Sequence, residues 1–209
     1  MTRVKVCGVT RGEDALLAAE LGASAIGFVF WPRSPRFIDA GRAASIAREL
    51  PPLITTVGVF VDQPIEEVRR IAQRVPLMAV QLHGNEPIEY ARQLLQPVIR
   101  AVAVDDQFTM SSVDVIPAEI TVLLDAHDPV RRGGTGRTID WTAASQAAAR
   151  RPVFLSGGLN PANIAEAIIR VHPYGVDLSS GVESAPGVKD PARLRALFEA
   201  VAGTVEHHG

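Results

Sequence analysis

The chain has 209 residues and a formal net charge of -2; 47% of its residues are hydrophobic and 21% are charged. These values fit one globular domain with a single core, and the weak negative charge disfavours nucleic acid and acidic membranes as partners. There is no signal-peptide core and no apolar run near the ~18 residues of a membrane helix, which predicts a cytoplasmic protein. We therefore expect one domain over residues 1–209, ending in a short polar tail.

Short apolar and β-branched runs recur along the chain, and each predicts a strand. The first run alternates and ends at Gly8, while the second ends before a loop that its prolines keep irregular. The predicted strands are residues 4–7, 25–30, 55–60, 78–83, 98–104, 120–125 and 153–155, with an eighth strand beginning at 175.

Helical spacing of apolar residues follows most of these strands. Asp39 is placed to cap the second helix, and Glu66 and Glu67 suit the start of the third, where the helix dipole favours acidic side chains. Residues 105–117 have little helical periodicity, so we expect a short or degraded fifth helix there. The other predicted helices are residues 13–21, 40–50, one that opens at Pro64, 86–95, 142–149, 160–171 and 191–201.

Strands that alternate with helices predict a parallel sheet of class α/β. Eight such units close naturally into a (β/α)8 TIM barrel. An open doubly wound sheet is the alternative fold, but no Gly-x-Gly-x-x-Gly signature follows the first strand and the glycine-rich turns come late in the chain.

Two consecutive glycine-rich turns follow the seventh and eighth predicted strands. Gly157 and Gly158 lie in one turn, and Ser180 and Gly181 lie in the other. Free backbone N–H groups in such turns bind anions, and a phosphate site after these two strands recurs in (β/α)8 barrels. A third glycine-rich segment, residues 131–136, follows the sixth strand. The sequence therefore predicts a phosphate-binding site.

Side chains where the strands end are the other candidates, because barrel enzymes act at that face. Cys7, the only cysteine, follows strand one and Asp125 ends strand six, so one could take a proton from carbon while the other protonates an oxygen. The alternatives are a packed thiol and a structural cap. Arg36 has the planar fork that suits a carboxylate, unless it is merely solvated. His83 is either a substrate contact or a hydrogen-bonded residue at the rim.

A metal site is disfavoured, although His83, Asp125, His127 and Asp128 lie near strand ends. A divalent ion needs ligands that converge from several strands. At the ends of strands one, three, five and eight, the only His, Asp or Glu residue is Asp177. We therefore expect no metal ion.

Several segments together resemble the phosphoribosylanthranilate isomerase family, in the order of that family and over nearly the whole chain. They are residues 5–10, 34–38, 81–84, 124–125, 133–136, 140–141, 155–161, 175–183 and 187–190. The departures are minor: Val6 and Val9 stand where isoleucine is common, and Ser156 where alanine is common. The resemblance implies an Amadori rearrangement of N-(5'-phosphoribosyl)anthranilate in tryptophan biosynthesis, by general acid/base catalysis and without a cofactor.

The resemblance also implies roles for individual residues. Asp125 is similar to the general acid that protonates the ribose ring oxygen, and Cys7 to the base that takes the C2' proton. Arg36 is similar to the clamp for the anthranilate carboxylate, and Gln81 and His83 are expected to bind substrate. The phosphate would bind at Gly134, Gly157, Gly158, Ser180 and Gly181.

Two other functions stay open at this point. Another phosphosugar isomerase or epimerase on the same scaffold would rely on a carboxylate after strand one, where this chain has Cys7. A non-catalytic phosphosugar-binding barrel would need the phosphate site but no facing acid and base. In each case we expect a small phosphosugar ligand, no nucleic-acid or membrane partner, and a monomer or homodimer.

Lys5 bears on the acidity of Cys7. Strand alternation places both side chains on one side of strand one, so Lys5 points inward if Cys7 does. A buried ammonium needs a partner, and barrel closure sets strand one beside strand eight, whose only acidic residue is Asp177. We hypothesise a Lys5–Asp177 ion pair that helps to hold the Cys7 thiolate; the alternative is an outward Lys5 between helices.

Overall fold

A closed barrel of eight parallel strands forms the centre of the protein, described by a computed structural model over residues 2–126 and 140–204. The strands pair in chain order, and the last also pairs with the first. This closure confirms the predicted (β/α)8 barrel and excludes the open sheet. The strands are β1 Arg3–Cys7, β2 Ala25–Val29, β3 Thr55–Phe60, β4 Ala79–Leu82, β5 Val98–Val104, β6 Thr121–Ala126, β7 Val153–Leu155 and β8 Gly175–Leu178.

A helix follows each strand, as the alternation predicted. The side chain of Asp39 accepts a hydrogen bond from the backbone N–H of Arg42, which confirms the predicted cap of the second helix. The fifth helix has only four residues, as expected. The helices are α1 Gly12–Glu20, α2 Ala40–Glu49, α3 Ile65–Arg74, α4 Ile88–Ala91, α5 Ser111–Asp114, α6 Trp141–Ala148, α7 Ile164–Val171 and α8 Pro191–Gly203.

The prediction of α4 over residues 86–95 was wrong in length. The Glu86 carboxylate accepts hydrogen bonds from the backbone N–H groups of Asp62 and Gly84, which keeps Glu86 in a loop, and Pro87 is the N-cap. Beyond Ala91 the chain makes only single-turn hydrogen bonds. These local bonds leave no trace in the spacing of apolar residues, so periodicity overestimates the helix.

Helix α7 also begins later than the predicted residue 160. The side chain of Asn160 accepts a hydrogen bond from Ala162 N at 2.9 Å, and its backbone N–H donates to the side chain of Asn163 at 2.8 Å. Asparagine side chains that bond nearby backbone groups favour turns over helix. The helix therefore starts at Ile164.

A short hairpin after β8 was not predicted. A 3₁₀ turn, Ser180–Val182, leads into two antiparallel strands, β9 Glu183–Ala185 and β10 Val188–Lys189. With three and two residues, these strands are too short to show any alternation. The hairpin adds two charged side chains, Glu183 and Lys189, that are both buried.

The barrel interior is apolar at one level and polar at the next. Ala25, Val57, Ala79, Ile99 and Leu123 form one buried cluster from five neighbouring strands. Because alternate residues of a strand share a face, the inward positions two residues beyond Ala79 and Leu123 hold Gln81 and Asp125, both buried. The strand ends thus carry polar groups over an apolar base.

The helices cover the outer face of the barrel with a larger apolar core, which includes Val6, Phe28, Phe60, Leu124 and Leu155. Within the two described ranges, no helix is both long enough and apolar enough to cross a membrane. The polar tail at residues 205–209 lies outside the described residues.

Leu123→Ala should lower the free energy of unfolding by about 2–5 kcal/mol, the usual cost of truncating a fully buried leucine in a core that collapses only partly. Urea denaturation followed by circular dichroism measures this loss. Leu95→Ala is the matched control, because Leu95 is 95% exposed and Leu123 is 0% exposed. Equal losses in the two variants would contradict the packing described for the barrel interior.

Candidate active site

The carboxyl ends of the strands bring the predicted catalytic residues to one mouth of the barrel. Cys7 is the last residue of β1, His83 directly follows β4, and Asp125 is the penultimate residue of β6. Parallel strands end on the same face of a barrel, so these side chains share one site. Burial raises the pKa of Asp177 in β8, while Lys5 opposes that rise and Asp125 adds to it.

Asp125 and His83 form a hydrogen-bonded pair across the mouth. His83 Nε2 lies 3.1 Å from Asp125 Oδ2, and His83 Nδ1 lies 2.9 Å from Gln81 Nε2. In this arrangement the amide nitrogen of Gln81 donates to Nδ1, and the N–H of Nε2 donates to Asp125. Gln81 therefore orients the His83 ring so that its Nε2–H faces Asp125. The Oε1 atom of Gln81 is buried and has no hydrogen-bond partner among the described residues.

Lys5 and Asp177 form the hypothesised ion pair inside the barrel. The two residues are register partners in β1 and β8, and Lys5 Nζ lies 2.8 Å from Asp177 Oδ1. Both side chains are buried, so the alternative of an outward Lys5 is wrong. Burial opposes the charge on Lys5, but the Asp177 carboxylate prevails and raises the pKa of Lys5. Lys5 is therefore a cation inside the barrel.

Burial raises the pKa of the Cys7 thiol, and Lys5 lowers it again through its charge. Asp177 raises the pKa of Cys7 further, while Lys189 in β10 lowers it. Lys5 therefore acts in the hypothesised direction, but the desolvation of the thiol outweighs it. Near neutral pH, Cys7 is therefore mostly the neutral thiol, and the small fraction of thiolate is strongly basic.

Gly27 makes room for Cys7 and Lys5 on the neighbouring strand. It is the register partner of Cys7 in β2. A Cβ atom at Gly27 would lie 2.9 Å from Cys7 Sγ and 3.2 Å from Lys5 Cε. Any other residue would push the thiol or the ammonium out of place, so the pair of inward side chains depends on this glycine.

Arg36 leans over the end of β1 and reaches a carboxylate that sequence reasoning did not single out. Its Nε donates to Glu183 Oε1 at 2.9 Å and its Nη2 donates to Glu183 Oε2 at 2.7 Å. Gly8 lies under the arginine, because a Cβ there would come within 2.5 Å of Arg36 Cδ. Arg36 is thus a paired, mostly buried cation and not a solvated loop residue.

Lys189 completes this cluster and was also missed. Its Nζ donates to Glu183 Oε1 at 2.8 Å and to the backbone oxygen of Cys7 at 2.6 Å. Burial opposes the charge on Glu183, but hydrogen bonds from Arg36 and Lys189 prevail and lower the pKa of Glu183. Burial lowers the pKa of Lys189. Both residues lie within the segments that resemble the family, and that was the one signal available in the sequence.

The two glycine-rich turns after β7 and β8 lie against each other. Gly157 and Gly158 have φ values of 92° and 66°, the left-handed conformation that glycine permits. A Cβ at Gly181 would collide with the backbone oxygen of Leu159, so the two turns touch. Ser180 opens the second turn, and the buried Oγ of Ser179 has no hydrogen-bond partner among the described residues.

Some predicted positions lie outside the described residues, namely Gly134 of the phosphate site and His127 and Asp128 of the metal alternative. Over residues 2–126 and 140–204, no group of three or more His, Cys, Asp or Glu side chains is placed to hold a metal ion.

These features define a class: a (β/α)8 barrel that sets a thiol and a carboxyl group at one mouth, next to two glycine-rich turns. The family described as "N-(5'phosphoribosyl)anthranilate (PRA) isomerase" has a sequence model that matches residues 4–200. The chain therefore belongs to this isomerase family. Membership excludes the non-catalytic barrel and the other phosphosugar isomerases as alternatives.

Named relatives agree with this assignment. The N-(5'-phosphoribosyl)anthranilate isomerases of Pelobacter propionicus and Geotalea uraniireducens are 47% and 48% identical, over 95% and 97% of this chain and 94% and 100% of their own. The solved enzyme of Thermus thermophilus is 43% identical with a TM-score of 0.89, covering 97% of this chain and 99% of its own. That of Thermotoga maritima is 42% identical with a TM-score of 0.90, covering 97% and 100%.

Lys5→Met should slow the alkylation of Cys7 by iodoacetamide at a fixed pH, because the thiolate loses its nearest cation. The measurement is the alkylation rate as a function of pH, whose midpoint should move upward in the variant. Asp177→Asn is the matched control: it also breaks the ion pair but removes an anion, so the midpoint should not rise. An unchanged midpoint in Lys5→Met would show that other groups set the acidity of the thiol.

Proposed function

We propose that this chain converts N-(5'-phosphoribosyl)anthranilate to 1-(2-carboxyphenylamino)-1-deoxy-D-ribulose 5-phosphate, with Asp125 as general acid and Cys7 as general base. The observation that supports these roles is that Cys7 and Asp125 lie at the carboxyl ends of β1 and β6, on the same face of the barrel, where Asp125 contacts His83 at 3.1 Å. A solved phosphoribosyl anthranilate isomerase in complex with the reduced form of this product is 42% identical, with a TM-score of 0.86, over 97% of this chain and 100% of its own.

In the first step, Asp125 protonates the ring oxygen of the ribose. The bond from C1' to that oxygen breaks, and the lone pair of the anthranilate nitrogen forms an iminium. Asp125 becomes a carboxylate as the proton leaves. The Nε2–H of His83, 3.1 Å away, donates a hydrogen bond to the new charge, so the pair stabilises the product of the step.

In the second step, the Cys7 thiolate takes the C2' proton. The electrons of that C–H bond move toward the iminium and give an enolamine. The enolamine then tautomerises to the ketone: it gains a proton at C1' and loses the proton of its C2' hydroxyl group. A base works best when its pKa lies near the operating pH. Burial raises the pKa of Cys7, and Lys5 and Lys189 oppose that rise without reversing it, so the thiolate is a minor species but a strong base once it forms.

The two anionic ends of the substrate suit two parts of the mouth. Arg36 would bind the anthranilate carboxylate, and the turns at Gly157, Gly158, Ser180 and Gly181 would bind the phosphate, together with Gly134. Gln81 and His83 would contact the sugar between them. Gln81 Oε1 is buried and has no hydrogen-bond partner within the described ranges, which supports this reading, since a buried polar atom is normally hydrogen-bonded. The reaction exchanges no electrons with an outside acceptor, and its bond changes within the substrate need only proton transfers, so we propose no cofactor and no metal ion.

We further propose that the protein is a single domain that acts in the cytoplasm as a monomer or homodimer. A related structure is described as monomers generated from the dimeric Thermotoga maritima enzyme, at 41% identity and a TM-score of 0.87 over 97% of this chain and 100% of its own. Sedimentation equilibrium distinguishes the two states.

Asp125→Asn should fold normally but lower kcat by about 10²- to 10⁴-fold, because the amide keeps the shape of the side chain and loses the proton that opens the ring. The decay of phosphoribosylanthranilate fluorescence under saturating substrate measures kcat. Asp140→Asn is a matched control: Asp140 is an exposed carboxylate that caps α6. Near wild-type turnover in Asp125→Asn would remove Asp125 from the mechanism.

A further inference from the structure

Glu183 is a buried carboxylate that links three groups around the mouth. It accepts hydrogen bonds from Arg36, from Lys189 Nζ at 2.8 Å and from the backbone N–H of Gly187 at 3.2 Å. Its side chain is 4% exposed and that of Arg36 is 12% exposed, so water screens their charges little. The mechanism above assigns no role to Glu183.

We propose that Glu183 is a positioning residue for Arg36: it holds the Nε side of the guanidinium so that the opposite edge faces the anthranilate carboxylate. This proposal rests on the role of Arg36 under the proposed function. A guanidinium has five N–H donors in a rigid plane. Glu183 takes Nε–H and one Nη2–H, and Nη1 has no hydrogen-bond partner among the described residues. The remaining edge, formed by Nη1 and Nη2, can hold a second carboxylate in the bidentate geometry.

Lys189 fixes the position of Glu183 relative to the catalytic thiol. Its ammonium bridges Glu183 Oε1 and the backbone oxygen of Cys7, at 2.8 Å and 2.6 Å. The chain of contacts therefore runs from Cys7 through Lys189 and Glu183 to Arg36. These contacts fix the position of Arg36 relative to Cys7, the residue that takes the C2' proton. A displacement of about 1 Å between such groups is costly in catalysis.

The charges of this cluster favour an anionic ligand. Arg36 and Lys189 are two cations that share the carboxylate of Glu183. One positive charge is left over within the cluster, and the substrate carboxylate would balance it. A buried, unbalanced cation is unfavourable, so the empty cluster gains from taking up an anion.

A purely structural role for Glu183 predicts a different outcome. Glu183 also accepts from Gly187 in the hairpin, so its loss could simply loosen the fold. Such loosening would weaken the binding of every ligand of the site alike. Loss of Arg36 positioning would weaken the binding only of ligands that carry the carboxylate, and this difference separates the two roles.

The test is calorimetric titration with two ligands: reduced 1-(o-carboxyphenylamino)-1-deoxyribulose 5-phosphate, and the same compound without its carboxylate. Arg36→Ala and Glu183→Gln should each weaken binding of the first ligand about tenfold or more, and leave binding of the second unchanged. The double variant should bind the first ligand no worse than Arg36→Ala alone, because Glu183 acts only through Arg36.

Glu86→Gln is the matched control. Glu86 is also buried, and it accepts from two backbone N–H groups and from Arg100 Nη1 at 2.9 Å, but it does not contact Arg36. We expect it to bind both ligands as the wild type does. If Glu183→Gln does not fold, Glu183→Asp replaces it: the charge beside Lys189 remains, but the carboxylate is retracted from Arg36, and the same ligand-selective loss is expected.

Equal losses for the two ligands, or no loss at all, in a folded Glu183 variant would overturn the positioning role. A double variant that binds the carboxylate ligand much more weakly than Arg36→Ala would overturn it as well. Binding of the two ligands by Arg36→Ala tests the proposed function separately. If that variant binds both ligands like the wild type, then the carboxylate clamp itself is wrong, and the role of Glu183 falls with it.

Discussion

The pairing of β8 with β1 is the constraint on which the site depends. It aligns Lys5 with Asp177, and a 2.8 Å ion pair in the barrel interior results. The same closure sets the end of β1 beside the turn that follows β8, so that Lys189, six residues beyond Glu183 in sequence, can reach the backbone oxygen of Cys7. An open sheet would separate these residues and leave Lys5 as a buried charge without a partner, which is strongly unfavourable.

Cations and anions alternate around the mouth, and this order gives each titratable group its environment. Cys7 has Lys5 on its own strand and Lys189 over its backbone, and both oppose the rise in pKa that burial imposes on the thiol. Asp125 has the Nε2–H of His83 as its neighbour, because Gln81 occupies the other ring nitrogen of His83. The base therefore has two cations and the Asp177 carboxylate nearby, and the acid lies beside a hydrogen-bond donor.

Periodicity and strand order predicted the barrel and the Lys5–Asp177 pair, since both follow from alternation and closure. The Glu183 cluster could not be found in this way. Arg36 and Glu183 are 147 residues apart in sequence, and the hairpin that carries Glu183 comes after the eighth strand is complete. The contact between His83 and Asp125 was equally hidden: β4 and β6 are not neighbours, so no strand register predicts it. The residue types made His83 and Asp125 candidates, but only the structure shows that their side chains meet.

The fluorescence decay of N-(5'-phosphoribosyl)anthranilate, with purified protein in excess chelator, tests the central claim most directly. Wild-type protein and Cys7→Ala are compared in single turnover, so that product release does not mask the chemical steps. We expect the wild type to consume the substrate despite the chelator, and Cys7→Ala to do so at least about 10²-fold more slowly. Equal rates in the two proteins, or no consumption by the wild type, would contradict acid/base catalysis by Cys7 and Asp125 at this barrel mouth.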